Sequence, residues 1–492
     1  MTRRSALLPF FEAPGEAAHG TRRALLLTYH FPPGQAAGAL RWQKFVELAL
    51  SRGWGFDVLT LAPTDLDRPD DIRLAGLPPG TRVFGVPDPP RAVERLEQRL
   101  WQAAKALRPA RPQRAGGAAT SGAVDAAGPS TTRPGSLARE EVCFDLRQPR
   151  SLWRAYQAWV ELSRGSAWAR RAESLGRVLM RDTRYTVVLS SGPPEMAHVG
   201  ASRLARRAGL PHVLDFRDPW SLRERLPEHL ASPLWYRSAR RHEERIGARA
   251  ARIVMNTDAA REAMQAAHPH LGDRIVAIPN GTDDDPLPES RQGASFVIAY
   301  AGAIYLDRDP GVLFRAAAEL IRERELAPSD FTIEFMGYVD PLLRIEESAR
   351  AVGVWEHLRI HATGSRHEAA AFLARASMLL NLPQDSHMAI PSKIFEYMRL
   401  SAFLLALAEP GSATERLLRG TNADVVSPRD EVGLARVLRT RYASWCRGER
   451  PRPIAEDPRF GRAARASELF RLLDEVVSDG LPIARSPGAP FS

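Results

Sequence analysis

Lysine is nearly missing from this chain. Of 68 basic residues in 492, only Lys44, Lys105 and Lys393 are lysine, and all others are arginine. With that bias arginine should stand wherever a bare positive charge suffices, so Lys393, between Pro391-Ser392 and the apolar helix start "IFEYM", asks for a specific reason. Cysteine is almost as scarce. Cys143 and Cys446 alone support neither a disulfide framework nor a cysteine metal site. No apolar run approaches the roughly 18 residues of a membrane span. The N-terminal apolar stretch is short and cut by Pro9, unlike a secretory signal. A cytoplasmic location is expected.

What is present is a soluble globular composition, 44% hydrophobic and 26% charged, in a chain too long for one ordinary core. The net charge of +10 raises nucleic acid as a partner, but the excess is spread along the chain and no nucleic-acid-binding signature accompanies it. No nucleic-acid partner is expected. Residues 147–184 do concentrate arginine, and Trp153, Tyr156, Trp159 and Val160 recur there at helical spacing. Two readings stand: a face that leans on the inner side of an anionic membrane or a lipid-linked acceptor, or a core-packing face with a solvated basic back. The second is the commoner arrangement.

Short β-rich runs alternate with loops and helical stretches. In the first half they are 24–28, 56–61, 82–86, 186–191, 212–217, 252–257 and 274–280. In the second half they are 296–302, 331–337, 358–364, 377–382, 403–408 and 423–427. Continuous apolar strands separated by helices indicate parallel sheets covered on both faces, hence two Rossmann-like, doubly wound α/β domains. The divisions are a flexible tail over 1–20, a first domain over 21–280, a hinge linker over 281–294, a second domain over 295–455, a terminal helix within 456–480 and a tail over 481–492. Residues 106–139 have almost no large apolar side chains and read as a disordered excursion of the first domain. The acidic run Asp283 to Asp285 reads as solvated, and no metal is assigned. The amphipathic helix at 461–479 has no strand after it and must pack on something already made.

Open parallel sheets bind ligands beyond the carboxyl ends of their strands. In the first domain, "TYHFPPGQAAGALRWQKF" offers Gly34 and Gly38, which let backbone amides approach an anion, with Arg41 just beyond. "SSGPPEMAH" offers Ser191 and Gly192 to a sugar or phosphate. "LDFRDPW" sets Asp215, Arg217 and Asp218 at a buried strand end, where charges need partners or a task; an Arg217 to Asp218 interaction is as reasonable as catalysis. In the second domain, Gly302 ends a strand ahead of Arg308, whose fork suits phosphate oxygens, and Gly364 closes "LRIHATG". After "SMLLNL", Ser392 and Lys393 stand at a helix start that can hold a diphosphate, with Ile394 next in line. Glu396, one turn on, can accept ribose hydroxyls. A capping box on Ser392 is the alternative, although the glutamate falls one position late.

These stretches, taken in order ("YHFPP", "SSGPP", "DFRDPW", "IPNG", "AG.IY..RDP", "PSKIFEYM", "EPGSAT"), resemble the GT-B-fold glycosyltransferases of family 4, retaining enzymes that use nucleotide sugars. The resemblance spans roughly residues 20–480. It implies an N-terminal acceptor domain, a C-terminal donor domain facing it across a cleft, and a terminal helix crossing back to the first. It implies Gly302 against the donor phosphates, Arg308 and Lys393 neutralising the diphosphate, Glu396 on the ribose, and no bound metal or other cofactor. Arg308, Lys393 and Asp218 are the candidate catalytic residues. Two positions depart from the family pattern. Met388 stands where many members have a glutamate, and Ala303 where many have an arginine.

The expected reaction is transfer of a hexose from a nucleotide diphosphate sugar to a polysaccharide or lipid-linked saccharide, with retention. The alternatives are a sugar-nucleotide epimerase of the same fold and a catalytically silent nucleotide-binding partner in a cell-surface polysaccharide complex.

Overall fold

A computed structural model describes residues 8–15, 20–89, 136–145, 147–289, 293–305, 308–382 and 386–479. Two parallel sheets organise it. In the first lobe β1 (Phe11–Glu12), β2 (Arg22–Thr28), β3 (Trp54–Leu61), β4 (Arg82–Val86), β6 (Val187–Ser191), β7 (His212–Phe216), β9 (Arg252–Met255) and β10 (Ile275–Ala277) run in the order β1-β4-β3-β2-β6-β7-β9-β10. In the second, β11 (Phe296–Ala301), β12 (Phe331–Met336), β13 (Leu358–His361), β14 (Met378–Asn381), β15 (Phe403–Leu407) and β16 (Asp424–Val426) run β13-β12-β11-β14-β15-β16. Every expected run overlaps a strand. Central strands such as β3 are buried at each position because helices cover both faces, which is why their sequences do not alternate.

Three short strands lie outside the expected set. β1 pairs antiparallel with β4, and Ala13 beside it is buried, so part of the segment read as a flexible tail is the edge of the sheet. β5 (Ser136–Ala138) and β8 (Arg225–Pro227) form a separate antiparallel ribbon, which corrects the reading of 136–139 as disordered. The remainder of the 106–139 excursion lies outside the described residues, as do 290–292 of the linker and the tail over 481–492.

The terminal helix, Arg462–Ser478, packs on the first lobe. Leu469, Phe470, Leu473 and Val476 join one core with Leu26, Trp54 and Phe56. Asp474 accepts from Trp54 Nε1 at 2.9 Å and pairs with Arg22 at 2.7 Å. The two interlobe crossings lie side by side: Thr282 N donates to Phe460 O and Arg462 N to Thr282 O, each at 2.8 Å. The acidic run beside them is not merely solvated, because Asp283 pairs with Arg462 at 2.9 Å and Asp285 with Lys44 at 2.8 Å. Lys44 is thus a clasp between the linker and the first lobe.

A helix of 34 residues, Pro149–Asp182, runs along the first lobe. Trp168, Ala169, Ala172 and Leu179 are its core face. Trp153 and Trp159 are 53% and 52% exposed, so the aromatic spacing does not mark the buried side, contrary to the commoner of the two readings. No helix among the described residues is long and apolar enough to cross a membrane.

Candidate functional site

The carboxyl ends of β11 and β14 converge in the second lobe. β11 ends beside Gly302, whose φ of 140° is a conformation that side-chain-bearing residues avoid. β14 leads through 382–391 to the short helix Ser392–Tyr397. Lys393 reaches from that helix to donate to Tyr300 Oη at 2.8 Å and Ala301 O at 3.0 Å, with Nζ 4.0 Å from the Tyr300 ring centroid. A Cβ on Gly302 would lie 2.3 Å from Nζ, so the glycine makes room for the ammonium. Tyr300 Oη and Arg308 Nη1 both donate to Ala303 O at 3.0 Å. Lys393 and Arg308 are therefore joined through Tyr300 and one carbonyl. Arg308 also covers the Tyr305 ring at 4.4 Å. Burial, and then the Arg308 charge, lower the Lys393 pKa from 10.5 to about 7, against the opposing pull of Glu396.

This accounts for the rare lysine: a compact ammonium fits between a phenol ring, a carbonyl and a glycine where a planar fork would clash. The residues around it behave differently from expectation in three respects. Pro391 is the N-cap and contributes no side-chain bond, so the capping box is not formed and Ser392 is an exposed first-turn residue. Ile394 is fully buried among Ala299, Phe395 and Leu379, so its side chain belongs to the core, and its amide donates to Pro391 O. Glu396 is 3.5 Å from Arg366, which follows Gly364. Gly364 itself lies against Glu368, the partner of Ser365 in a capping box.

In the first lobe the buried charge is Asp215, at the end of β7. It accepts from Arg41 Nη2 at 3.0 Å, Trp42 Nε1 at 2.7 Å and Ser191 Oγ at 3.0 Å. Arg41 also donates to Asn256, Asn280 and Ile278 O and is 3% exposed. Arg41 and Ser191, expected to line the cleft, are instead internal ties that hold the strand ends in place. Burial alone would raise the Asp215 pKa, but Arg41 and Trp42 hold it below the usual carboxylate range.

Arg217, two residues on, points the other way. Its Nε donates to Gly192 O, and its Nη1 lies 1.8 Å from where a Cβ on Gly38 would sit. Arg217, Gly38 and Gly192 are thus brought together, with a guanidinium in the space the expected anion would use beside Gly38. Gly34 has its amide on Phe31 O at 2.9 Å and its carbonyl on Arg73 at 2.7 Å, so it shapes a turn and offers no free amide. Asp218 is exposed and makes no hydrogen bond or ion pair with Arg217. His30, which the sequence reading passed over, is held neutral by burial and then by Arg217, with a pKa of about 4.

Behind these loops Ser190 Oγ lies 2.8 Å from both His198 Nδ1 and His212 Nε2. Burial lowers both imidazoles from 6.5 to about 3. Below pH 6.5 the unfolded chain takes up protons that the folded one refuses, so stability decreases as the pH is lowered. Each histidine is expected to remove about 1.6 kcal/mol between pH 6.5 and 5. Urea unfolding at the two pH values measures this, and a wild type with equal midpoints and slopes at both refutes it. Paired carboxylates such as Asp215 act in a lower window, below about pH 4.

The lobes meet around these sites. Thr257 Oγ1 donates to Met388 O at 2.6 Å, and the Met388 side chain packs on the core of the first lobe. His387 N donates to Glu224 at 3.3 Å. Arg366 lies near enough to Arg73 to help burial lower the Arg73 pKa, so two arginines oppose each other across the cleft. Tyr300, Arg366, Arg73 and His30 escaped the sequence reading. Only Tyr300 had a signal, its place two residues before Gly302. Among the described residues, no three His, Cys, Asp or Glu side chains are grouped to hold a metal ion.

Two parallel-sheet lobes facing a cleft, tied by a returning terminal helix, make up the GT-B fold. Within it, residues 130–286 match the family model described as Glycosyltransferase Family 4, in line with the resemblance drawn from the short motifs. Similar solved structures include sucrose-phosphate synthase from Thermosynechococcus elongatus, with TM-score 0.57 and 12% identity over 93% of this chain and 100% of that one. A glycosyltransferase from Rickettsia africae gives 0.52 and 11% over 93% and 99%. A UDP-forming α,α-trehalose-phosphate synthase from Burkholderia xenovorans gives 0.51 and 12% over 92% and 99%. At these identities the likeness is one of fold. No curated protein matches the sequence.

Proposed function

We propose that this protein transfers a hexose from a nucleotide diphosphate sugar to a saccharide acceptor, polymeric or lipid-linked, with retention at the anomeric carbon. The observation that carries the reading is the Lys393–Tyr300–Arg308 cluster against Gly302. There an ammonium and a guanidinium are held at the carboxyl edge of the second sheet, beside a residue with no side chain. The bond from the anomeric carbon to a diphosphate oxygen breaks and one to the acceptor's hydroxyl oxygen forms, with the hydroxyl proton passing to the departing diphosphate. Charge builds on the departing diphosphate, and fixed cations placed there lower the barrier. Glu396 and Gly364 lie on the nucleoside side of this cluster. Gly192, Gly38 and Arg217 line the acceptor side. The Glycosyltransferase Family 4 match supports the same class of reaction.

A thermal-shift panel of nucleoside diphosphates and their sugars tests the donor site. The cognate ligand at about 100 times its Kd should stabilise the fold by about 2.7 kcal/mol. A panel in which no member shifts the melting temperature rejects the reading. The matching sugar nucleotide incubated without acceptor should remain unchanged, whereas an epimerised sugar would identify an epimerase.

A further inference from the structure

The long helix Pro149–Asp182 carries two features that the cleft chemistry does not use, and they fall on one stripe. Positions 152, 156, 159, 163, 170, 174 and 177 repeat at close to 3.6 residues and so share a face, with Trp153 on its flank, about 60° around the helix from Tyr156 and exposed. At the leading end this face carries an aromatic ladder. The Trp153 and Tyr156 rings are 5.7 Å apart and the Tyr156 and Trp159 rings 6.3 Å apart. Both tryptophans are more than half exposed, with Leu152 beside them at 48%. At the trailing end it carries Arg170 and Arg177, which join Arg203, Arg206 and Arg207 of the next helix around a basin of about 310 Å³.

The charge of that basin is one-sided. Its single acid, Glu173, is buried and pairs loosely with Arg203 at 3.9 Å and Arg207 at 3.6 Å. Among the described residues, Arg170, Arg177 and Arg206 have no carboxylate within ion-pair reach. The patch continues beyond the basin: burial, and then the charges of Arg206 and Arg245, lower the pKa of Arg249.

The ladder also has a definite place relative to the cleft. Trp168 meets Tyr29, just past the end of β2, with ring centroids 5.1 Å apart. Gly165 lies against Pro194 and Met196, just past the end of β6. Residues 149–164 therefore lie beyond the carboxyl edge of the sheet, a stretch about 24 Å long at 1.5 Å per residue that also packs on the segment around Glu228 through Arg154. Exposed indole and phenol rings beside unpaired arginines match the two layers of an anionic bilayer surface: an interfacial zone that takes amphipathic rings, and headgroups that take positive charge.

We propose that this stripe is a docking surface for an anionic lipid bilayer. Trp153 and Trp159 enter the interface, and Arg170, Arg177 and Arg206 contact the headgroups. Docked in this way, the mouth of the cleft on the first lobe sits at the membrane, where a lipid-borne acceptor would arrive. That last clause rests on the function proposed above; the docking itself does not.

Flotation of the full chain with phosphatidylcholine vesicles, with and without phosphatidylglycerol, tests it without donor or acceptor, so its failure is distinct from failure of the donor site. The wild type should float with the anionic vesicles and be released by salt. The double variant Trp153→Ala, Trp159→Ala should lose about tenfold or more in partitioning. The triple variant Arg170→Gln, Arg177→Gln, Arg206→Gln should lose about a hundredfold at low salt, about fivefold per charge. Both sets lie on the surface, and unchanged melting temperatures verify their folds. The proposal is overturned if the wild type stays soluble with anionic vesicles, whether or not it shifts a short RNA. It is equally overturned if the tryptophan variant floats as well as the wild type.

Discussion

Lys393→Ala is expected to lower the rate of sugar transfer by about 10²–10³-fold, the effect of removing one preorganised donor from a developing oxyanion. The fall should appear in kcat as well as in donor affinity, because the ammonium meets more charge as the diphosphate departs than it does in the ground state. The free site holds the Lys393 pKa near 7, so part of the protein lacks the ammonium at neutral pH. A bound diphosphate favours the charged form and draws in a proton. Donor affinity should therefore weaken as pH rises above about 7, approaching tenfold per unit. The nucleotide sugar is the ligand to use, since a diphosphate diester does not itself titrate in this range. Calorimetry from pH 6 to 9 should show this slope in the wild type and none in Lys393→Ala. A variant with full transfer rate, or a flat wild-type profile, removes Lys393 from the site.

Asp215→Ala should cost about 3–5 kcal/mol, because it leaves the Arg41 charge buried and unpaired and also orphans Trp42 Nε1 and Ser191 Oγ. For a lobe of this size the loss corresponds to a melting temperature lower by roughly 10 °C. Asp215→Asn should lose less, since an amide oxygen still accepts from Trp42 or Arg41. Adding Arg41→Met to Asp215→Ala should recover part of the deficit by removing the stranded guanidinium. Differential scanning calorimetry on the four proteins measures all of this. An unchanged Asp215→Ala melting temperature would mean that the network does not hold the strand ends.

The sheets were legible because central strands must be apolar on both sides, and runs such as "FDVLTL" and "FVIAYA" can hardly be anything else. β1 and the β5–β8 ribbon were not, since two or three residues carry no period and their pairing depends on partners remote in sequence. That Lys393 and Arg308 come together was legible from their places after strand ends, and Lys393 stood out further by its rarity. The first-lobe residues were harder to read. Ser191, Arg217 and Asp218 sit near strand ends and Arg41 in the helix after the first loop, and spacing does not tell which side chains turn inward. Arg41 found a carboxylate in the interior, whereas Arg217 found a carbonyl at the rim. Ile394 followed the lysine in sequence, but the 100° step of the helix turned its side chain into the core.

The return of the last helix to the first lobe bears on how the molecule is born. On a ribosome, Trp54, Phe56 and their neighbours emerge long before the segment that covers them, since Asp474, which accepts from Trp54, is made 420 residues later. An oily surface must therefore wait uncovered through the synthesis of an entire second lobe, in reach of chaperones and of other nascent chains.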